Sequence, residues 1–243
     1  MFFWRKKLET PSSYNGKIEV FSRHCLYSSI SQHKKRLPGF SHEKCYRNLL
    51  KTIDLTQANL TFFLDVAKGS KENHFLAKEE AIEIHEGTES GAFLRLLEHV
   101  ASLSLDPETI VYFVEDDYVH LPNWLSVLRE GLTIPGVDYV TLYDHRDKYV
   151  SPAYEGLESR LFCTASCHWR TTPSTTQTFA FRFKTLLRDM KIHRKYSEGR
   201  KISADHAKFI HLRKRGAVLI SSIPGWATHV EEGLSSPCVQ WVF

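Results

Sequence analysis

Thr109-Ile-Val-Tyr-Phe-Val-Glu-Asp-Asp-Tyr-Val-His-Leu-Pro-Asn-Trp-Leu125 is the stretch whose reading decides the fold. It opens with five consecutive apolar or aromatic residues, Ile110 to Val114, and turns abruptly into three carboxylates, Glu115, Asp116 and Asp117. A short apolar run bounded in this way reads as a buried strand. Carboxylates at the end of such a strand repel one another and resist desolvation, so they are best tolerated beside a cation. Side chains alternate along an extended backbone, which predicts Glu115 and Asp117 on one face and Asp116 on the other. Two acids on one side are a seat for Mg²⁺ or Mn²⁺, which take oxygen ligands. The alternative is a solvated acidic loop before a helix, where acids also suit the dipole.

Working outward, strand and helix patterns alternate. Lys17–Ser22 reads as a first strand ending at Arg23-His24. The segment from Ser28 to Phe40 is polar and basic, with Pro38-Gly39 as a turn. Ser41 then caps a helix with Tyr46, Leu49, Leu50 and Ile53 at helical spacing. Leu60–Val66, bearing Asp65, and Ala81–His85 read as strands. The loop containing Gly87, Glu89 and Gly91 opens a helix striped by Phe93, Leu96, Leu97 and Val100, and a loop of this kind can offer backbone N–H groups to an anion. After the opening stretch, Pro122 suits a helix start, with Trp124, Leu125 and Leu128 as its apolar stripe.

Asp138–Tyr143 predicts a fifth strand running into Asp144, His145 and Arg146. Lys148–Arg160 reads as irregular, Leu161–His168 and Thr178–Phe183 as strands flanking a polar run, and Phe183–Met190 as a helix. A basic loop from Lys191 to Lys201, a helix near Ser203–Lys214 and a strand at Ala217–Ser221 complete the order. Such alternation predicts an α/β fold with a mostly parallel sheet covered on both faces. Ligands bind beyond the carboxyl ends of strands in such sheets, and the polar residues above collect at those ends.

The 243 residues suit one domain, or one domain with an appendage, large enough to bury a sizeable core. A net charge of +4 lacks the concentrated basic field expected of a nucleic-acid binder. No apolar run approaches a membrane span. The start, Met1-Phe-Phe-Trp-Arg-Lys-Lys7, is of a kind that can touch a membrane surface, with a packed or frayed terminus as the alternative. Five cysteines are an odd number and form no disulfide framework. With no secretory signal, the expectation is a cytoplasmic protein, at most at the inner face of a membrane. Cys163 and Cys167, beside His168, have a spacing seen in some zinc sites but no second ligand pair.

The constellation resembles the nucleotide-sugar-dependent glycosyltransferases of the GT-A type, family 2-like, over about residues 17–232. Glu115-Asp116-Asp117 is similar to that family's Asp-X-Asp motif, with glutamate in the first position. The resemblance implies a single domain over 1–243, with a nucleotide-binding half (about 17–145) and an acceptor-binding half (about 146–243). It implies that Asp117 and His229 hold a divalent cation (Mn²⁺ or Mg²⁺) and that Arg23, Asp65, Gly87, Glu89, Glu115 and Asp116 line the site of a nucleotide-sugar donor, with a UDP-sugar as the default. Asp205, at a helix start, resembles the base of inverting members. His145, Arg146 and Trp226 are placed toward phosphate or a glycan or glycolipid acceptor, and Trp169 and Trp241 are further candidates to stack on sugars. Two alternatives stand beside this reading. One is a non-catalytic nucleotide- or sugar-binding module of the same fold. The other is a nucleotidyltransferase, which would usually carry a glycine-rich, basic signature after the first strand; that loop is read as lacking one.

Overall fold

The computed structural model describes residues 14–242. The expectation of membrane contact at Met1–Lys7 lies outside them. In chain order the elements are β1 (Ile18–Cys25), α1 (His42–Thr52), β2 (Ala58–Asp65), β3 (Ala81–Ile84), α2 (Glu89–Ser102), β4 (Ile110–Glu115), β5 (Tyr118–His120), α3 (Trp124–Thr133), β6 (Tyr139–Thr141), α4 (Asp147–Val150), β7 (Leu161–Cys163), β8 (His168–Thr171), β9 (Phe179–Arg182), α5 (Phe183–Lys195), α6 (Asp205–Lys214), β10 (Leu219–Ile223) and β11 (Ala227–His229).

The expected α/β architecture is present. Among the described residues, nine strands form one sheet in the order β3-β2-β1-β4-β9-β6-β10-β8-β7, while β5 and β11 form a separate two-stranded ribbon. Within the large sheet only β9 and β8 run against the other seven strands. β9 comes from the later half of the chain and lies between β4 and β6, so residue 145 is not a boundary within the sheet.

Alternation along β4 explains both covered faces. Ile110, Tyr112 and Val114 pack with Trp124, Leu125 and Leu128 of α3. Val111 and Phe113 turn the other way, into Phe93 and Leu97 of α2, Leu186 of α5 and Phe209 of α6. A strand buried on both faces is therefore apolar at every position, as its sequence is. No helix among the described residues is long and apolar enough to cross a membrane.

Local signals were obeyed where the chemistry is local. Ser41 Oγ accepts from the Lys44 N–H at 3.1 Å, capping α1 as expected, though Leu50 is exposed and Cys45 takes the buried position. Ser41→Ala is expected to cost about 1 kcal/mol, read as a lower urea midpoint with an unchanged slope. Thr88 caps α2 by accepting from Gly91 N–H.

Other boundaries moved. The predicted strand Leu161–His168 is a hairpin of β7 and β8, because Thr164 N–H bonds back to the Cys167 carbonyl and reverses the chain. Part of the predicted basic loop, Lys191–Lys195, continues α5, since Ile192 and His193 are buried and extend its inner face. The strands β5 and β11 were not foreseen; each is three residues long and is defined only by the other.

Candidate active site

The sheet order turns back at β1 and β4. The parallel register there places Arg23 opposite Glu115. Such a switch point leaves a crevice beyond the strand ends. Here it is a cleft of about 400 Å³, and its lining includes Arg23, Asp65, Gly87, Glu89, Glu115, Asp116, Asp117, Asp205 and His229. Those residues are scattered over more than two hundred positions, and the fold brings them to one concavity.

The three central acids do not follow strand alternation. β4 ends at Glu115, and the chain turns at Asp116-Asp117 before entering β5 of the other sheet. The expected shared face of Glu115 and Asp117 is thereby lost, and each acid reaches a different partner. Arg23 donates to Glu115 Oε1 at 3.1 Å and to Gln177 Oε1 at 2.7 Å, and lies 3.5 Å from Glu89. Burial pushes the Glu115 carboxyl up to about 7; Arg23 opposes this and Asp117 adds to it. Asp116 pairs with His42 at 3.3 Å, so it holds the start of α1 while still lining the cleft. Burial alone would raise its pKa, and His42 outweighs that and lowers it.

Asp117 is the most densely bonded. Its Oδ2 lies 2.8 Å from His229 Nε2, 3.1 Å from Lys34 Nζ and 3.0 Å from Arg36 Nη1. Burial disfavours the charge, but His229, Lys34 and Arg36 outweigh it and hold the carboxyl well below its ordinary range. His229 reaches this place because β11 pairs with β5, setting His229 opposite Tyr118, whose ring stacks on the imidazole. Glu231 lies 3.3 Å from His229 Nδ1.

The two residues expected to hold a divalent ion do meet, but around a side-chain cation. Lys34 Nζ is 3.1 Å from Asp117 Oδ2 and 3.2 Å from His229 Nε2, so it engages both would-be ligand atoms. Among the described residues no three His, Cys, Asp or Glu side chains are grouped to hold a metal ion. The donor set does not fit Mn²⁺ or Mg²⁺ while the ammonium holds that position, because both atoms already face positive charge.

The remaining expected residues divide. Asp65 accepts from Gly87 N–H at 2.8 Å and Ala67 N–H at 3.0 Å, fixing the cleft floor. Gly87 has φ +64°, a left-handed turn that suits glycine. The N–H groups of Gly87, Ser90 and Gly91 already have protein acceptors, so the loop is less of an anion cradle than its sequence suggests. Glu89 accepts from Ser203 N–H at 2.7 Å, joining the start of α2 to the approach of α6. Asp205 opens α6 and meets the buried Lys208 ammonium at 2.7 Å.

His145, Arg146 and Trp226 are not in the cleft lining. His145 bonds Asp147, Arg146 is exposed at the start of α4, and Trp226 packs against the α3-side core. Trp169 is fully buried, and Trp241 donates to the Ser236 carbonyl. Of the basic segment Lys191–Lys201, only Lys201 lines the cleft.

Sequence reasoning passed over Lys34, Arg36, Gln177 and Glu231. Lys34 and Arg36 belong to the polar, basic loop after β1, where the sequence reading expects no basic signature of a nucleotidyltransferase. That reading is corrected for charge: the loop sends two cations to Asp117. The signal was visible as Lys34-Lys35-Arg36, but its target was not.

Buried histidines predict the pH response. Burial holds His24 neutral down to about 4 and His120 down to about 3, and burial with the nearby Lys208 holds His193 well below its ordinary value. Below their unfolded value the unfolded chain takes up protons that the fold refuses, so stability is present above about pH 6.5 and is lost as pH falls. Each contributes a loss on the order of 1 kcal/mol by pH 5.5. Glu115 acts oppositely, its raised pKa favouring the fold as pH falls through 7. A urea midpoint clearly lower at pH 5.5 than at pH 7.5 is expected; equal midpoints would show that these rings are not buried neutral.

No protein-family model and no curated protein matches the chain. Among solved structures, it is similar to CMP:2-keto-3-deoxy-manno-octonic acid synthetase complexed with CTP, at 12% identity over 86% of this chain and 92% of that one, with TM-score 0.49. It is also similar to 4-diphosphocytidyl-2C-methyl-D-erythritol synthase from Anaerococcus prevotii DSM 20548, at 11% identity over 94% of each chain, with TM-score 0.46. Likenesses of this size carry no chemistry over to this chain.

Proposed function

We propose that the chain transfers a sugar from a nucleotide-sugar donor to a hydroxyl acceptor, with the donor nucleotide in the cleft beyond β1, β2 and β4. The observation that supports this best is the presence of Asp205 in the same cleft as Arg23 and Glu115–Asp117, although it lies far along the chain. Asp205 takes the proton of the acceptor hydroxyl as the oxygen attacks the anomeric carbon, and the nucleoside diphosphate departs. Lys208 holds the Asp205 carboxylate, and the Glu89 bond to Ser203 N–H fixes the approach to its helix. Lys34, Lys68 and Lys201 line the cleft as the side chains able to face a diphosphate. UDP is the default nucleotide, and a glycan or glycolipid is the acceptor class carried by the resemblance.

A second reading, nucleotidyl transfer, is favoured by one observation: the two cations on Asp117 come from the loop after β1, where that chemistry needs positive charge. A substrate oxygen would then attack the α-phosphorus of a nucleoside triphosphate and release pyrophosphate. The two reactions leave different products. Incubation with a panel of nucleotide sugars, following nucleoside diphosphate release, is expected to give turnover. Release of pyrophosphate from triphosphates and sugar phosphates, with no nucleoside diphosphate released from the nucleotide sugars, would replace the first reading by the second. Nucleotide binding with neither release would leave a binding module.

A further inference from the structure

We infer that the Lys34 ammonium is the cation this cleft presents to the diphosphate of its nucleotide ligand, standing where the resemblance would place a divalent ion. The inference rests on the proposed nucleotide site and goes beyond it by naming how the anion is met. Two cations bond the same Asp117 oxygen, but they are held differently. Arg36 also donates to Ser31 Oγ at 2.7 Å and to the Val230 carbonyl at 3.2 Å, and its guanidinium lies 4.4 Å over the Phe40 ring. Its side chain is 13% exposed, and it does not line the cleft. Arg36 is a fixed counter-charge for Asp117.

Lys34 lines the cleft and keeps 29% of its side chain exposed. Its contacts are Asp117, His229 and, at 4.0 Å, Glu231. A lysine head group is a compact charge with three donors, able to face a phosphate from where it stands. With Arg36 in place, Asp117 keeps a second counter-charge when a phosphate shares Lys34.

The other cleft carboxylates have donors of their own. Asp65 accepts from Ala67 and Gly87 N–H, Glu89 from Ser203 N–H, Glu115 from Arg23 and Asp205 from Lys208, while Asp116 pairs with His42. The anion-facing charge therefore falls to the lysines, and Lys34 is the one beside the central acids. Its position on Asp117 Oδ2 and His229 Nε2 is also the position a metal would need, so ammonium and metal exclude one another there.

Calorimetric titration with ADP, CDP, GDP and UDP, in excess EDTA and again in Mn²⁺, tests this on the full chain. At least one nucleotide is expected to bind in EDTA, with Mn²⁺ changing its affinity by less than about threefold. Lys34→Ala is expected to weaken that binding in EDTA by about tenfold or more, and Lys34→Arg to keep most of it. Circular dichroism confirms that each variant is folded, and the EDTA comparison on the unaltered chain needs no variant. Binding that requires Mn²⁺ would overturn the inference while leaving the nucleotide site standing. Wild-type affinity in Lys34→Ala would also overturn it. No binding of any of the four in either condition would remove the nucleotide site, and the inference with it.

Discussion

Asp205→Asn is expected to lower sugar transfer by about 10²- to 10⁴-fold, the usual range for losing a positioned base. The amide keeps the shape of the side chain and can still accept from Lys208, but it cannot take a proton. Affinity for the nucleotide should change by less than about threefold, because only the transition state loses an interaction. The measurement is kcat with a saturating donor, paired with a direct nucleotide titration. Equal activity in the variant would take Asp205 out of the chemistry. So would a product whose anomeric configuration, read by NMR, matches that of the donor, since retention does not call on this base.

Asp117→Ala is the substitution expected to harm the fold most. Asp117 is buried, and one of its oxygens faces Arg36, His229 and Lys34. Removing it leaves a nearly buried guanidinium without its counter-charge, a loss on the order of 3–5 kcal/mol. It also unties β11 from the turn after β4, because His229 reaches the cleft through that pairing. Asp117→Asn should cost less, since it keeps an acceptor for Arg36. Urea denaturation of the two variants gives the comparison. An alanine variant within about 1 kcal/mol of the parent would mean that the cluster is solvated and contributes little.

The helices and long strands were legible because their signals are local. The alternation of Val111 and Phe113 against Tyr112 and Val114 is a property of six adjacent residues, and both sets are buried as expected. The caps Ser41 and Thr88 work within three residues. The short strands β5 and β11 carry no such signal. Three residues give too little periodicity to read, and each exists as a strand only through pairing across a separation of more than a hundred positions.

The lining of the candidate site was largely legible, and its wiring was not. Arg23, Asp65, Gly87, Glu89 and Glu115–Asp117 line the cleft and could be picked out because they fall at strand ends and a helix start, whereas Asp205 and His229 were carried by the resemblance. Their partners could not be picked out. That Asp65 serves backbone N–H groups, or that Asp116 holds His42, depends on where loops of neighbouring strands come to rest. His145, Arg146 and Trp226 show the converse. They follow strand or loop ends in sequence, but His145 and Arg146 flank α4 and Trp226 packs against the core, outside the cleft.

By itself, then, the sequence determined an α/β sheet buried on both faces and an acidic strand end at Glu115–Asp117, since periodicity and burial act over a few residues. Only the tertiary structure decided what those acids face. β9 enters between β4 and β6, β11 carries His229 to Asp117, and the loop after β1 brings Lys34 and Arg36 to the same oxygen. The physical reason is range. A carboxylate's partner is set by distances of about 3 Å in space, and chain separation says nothing about those until the sheet has closed.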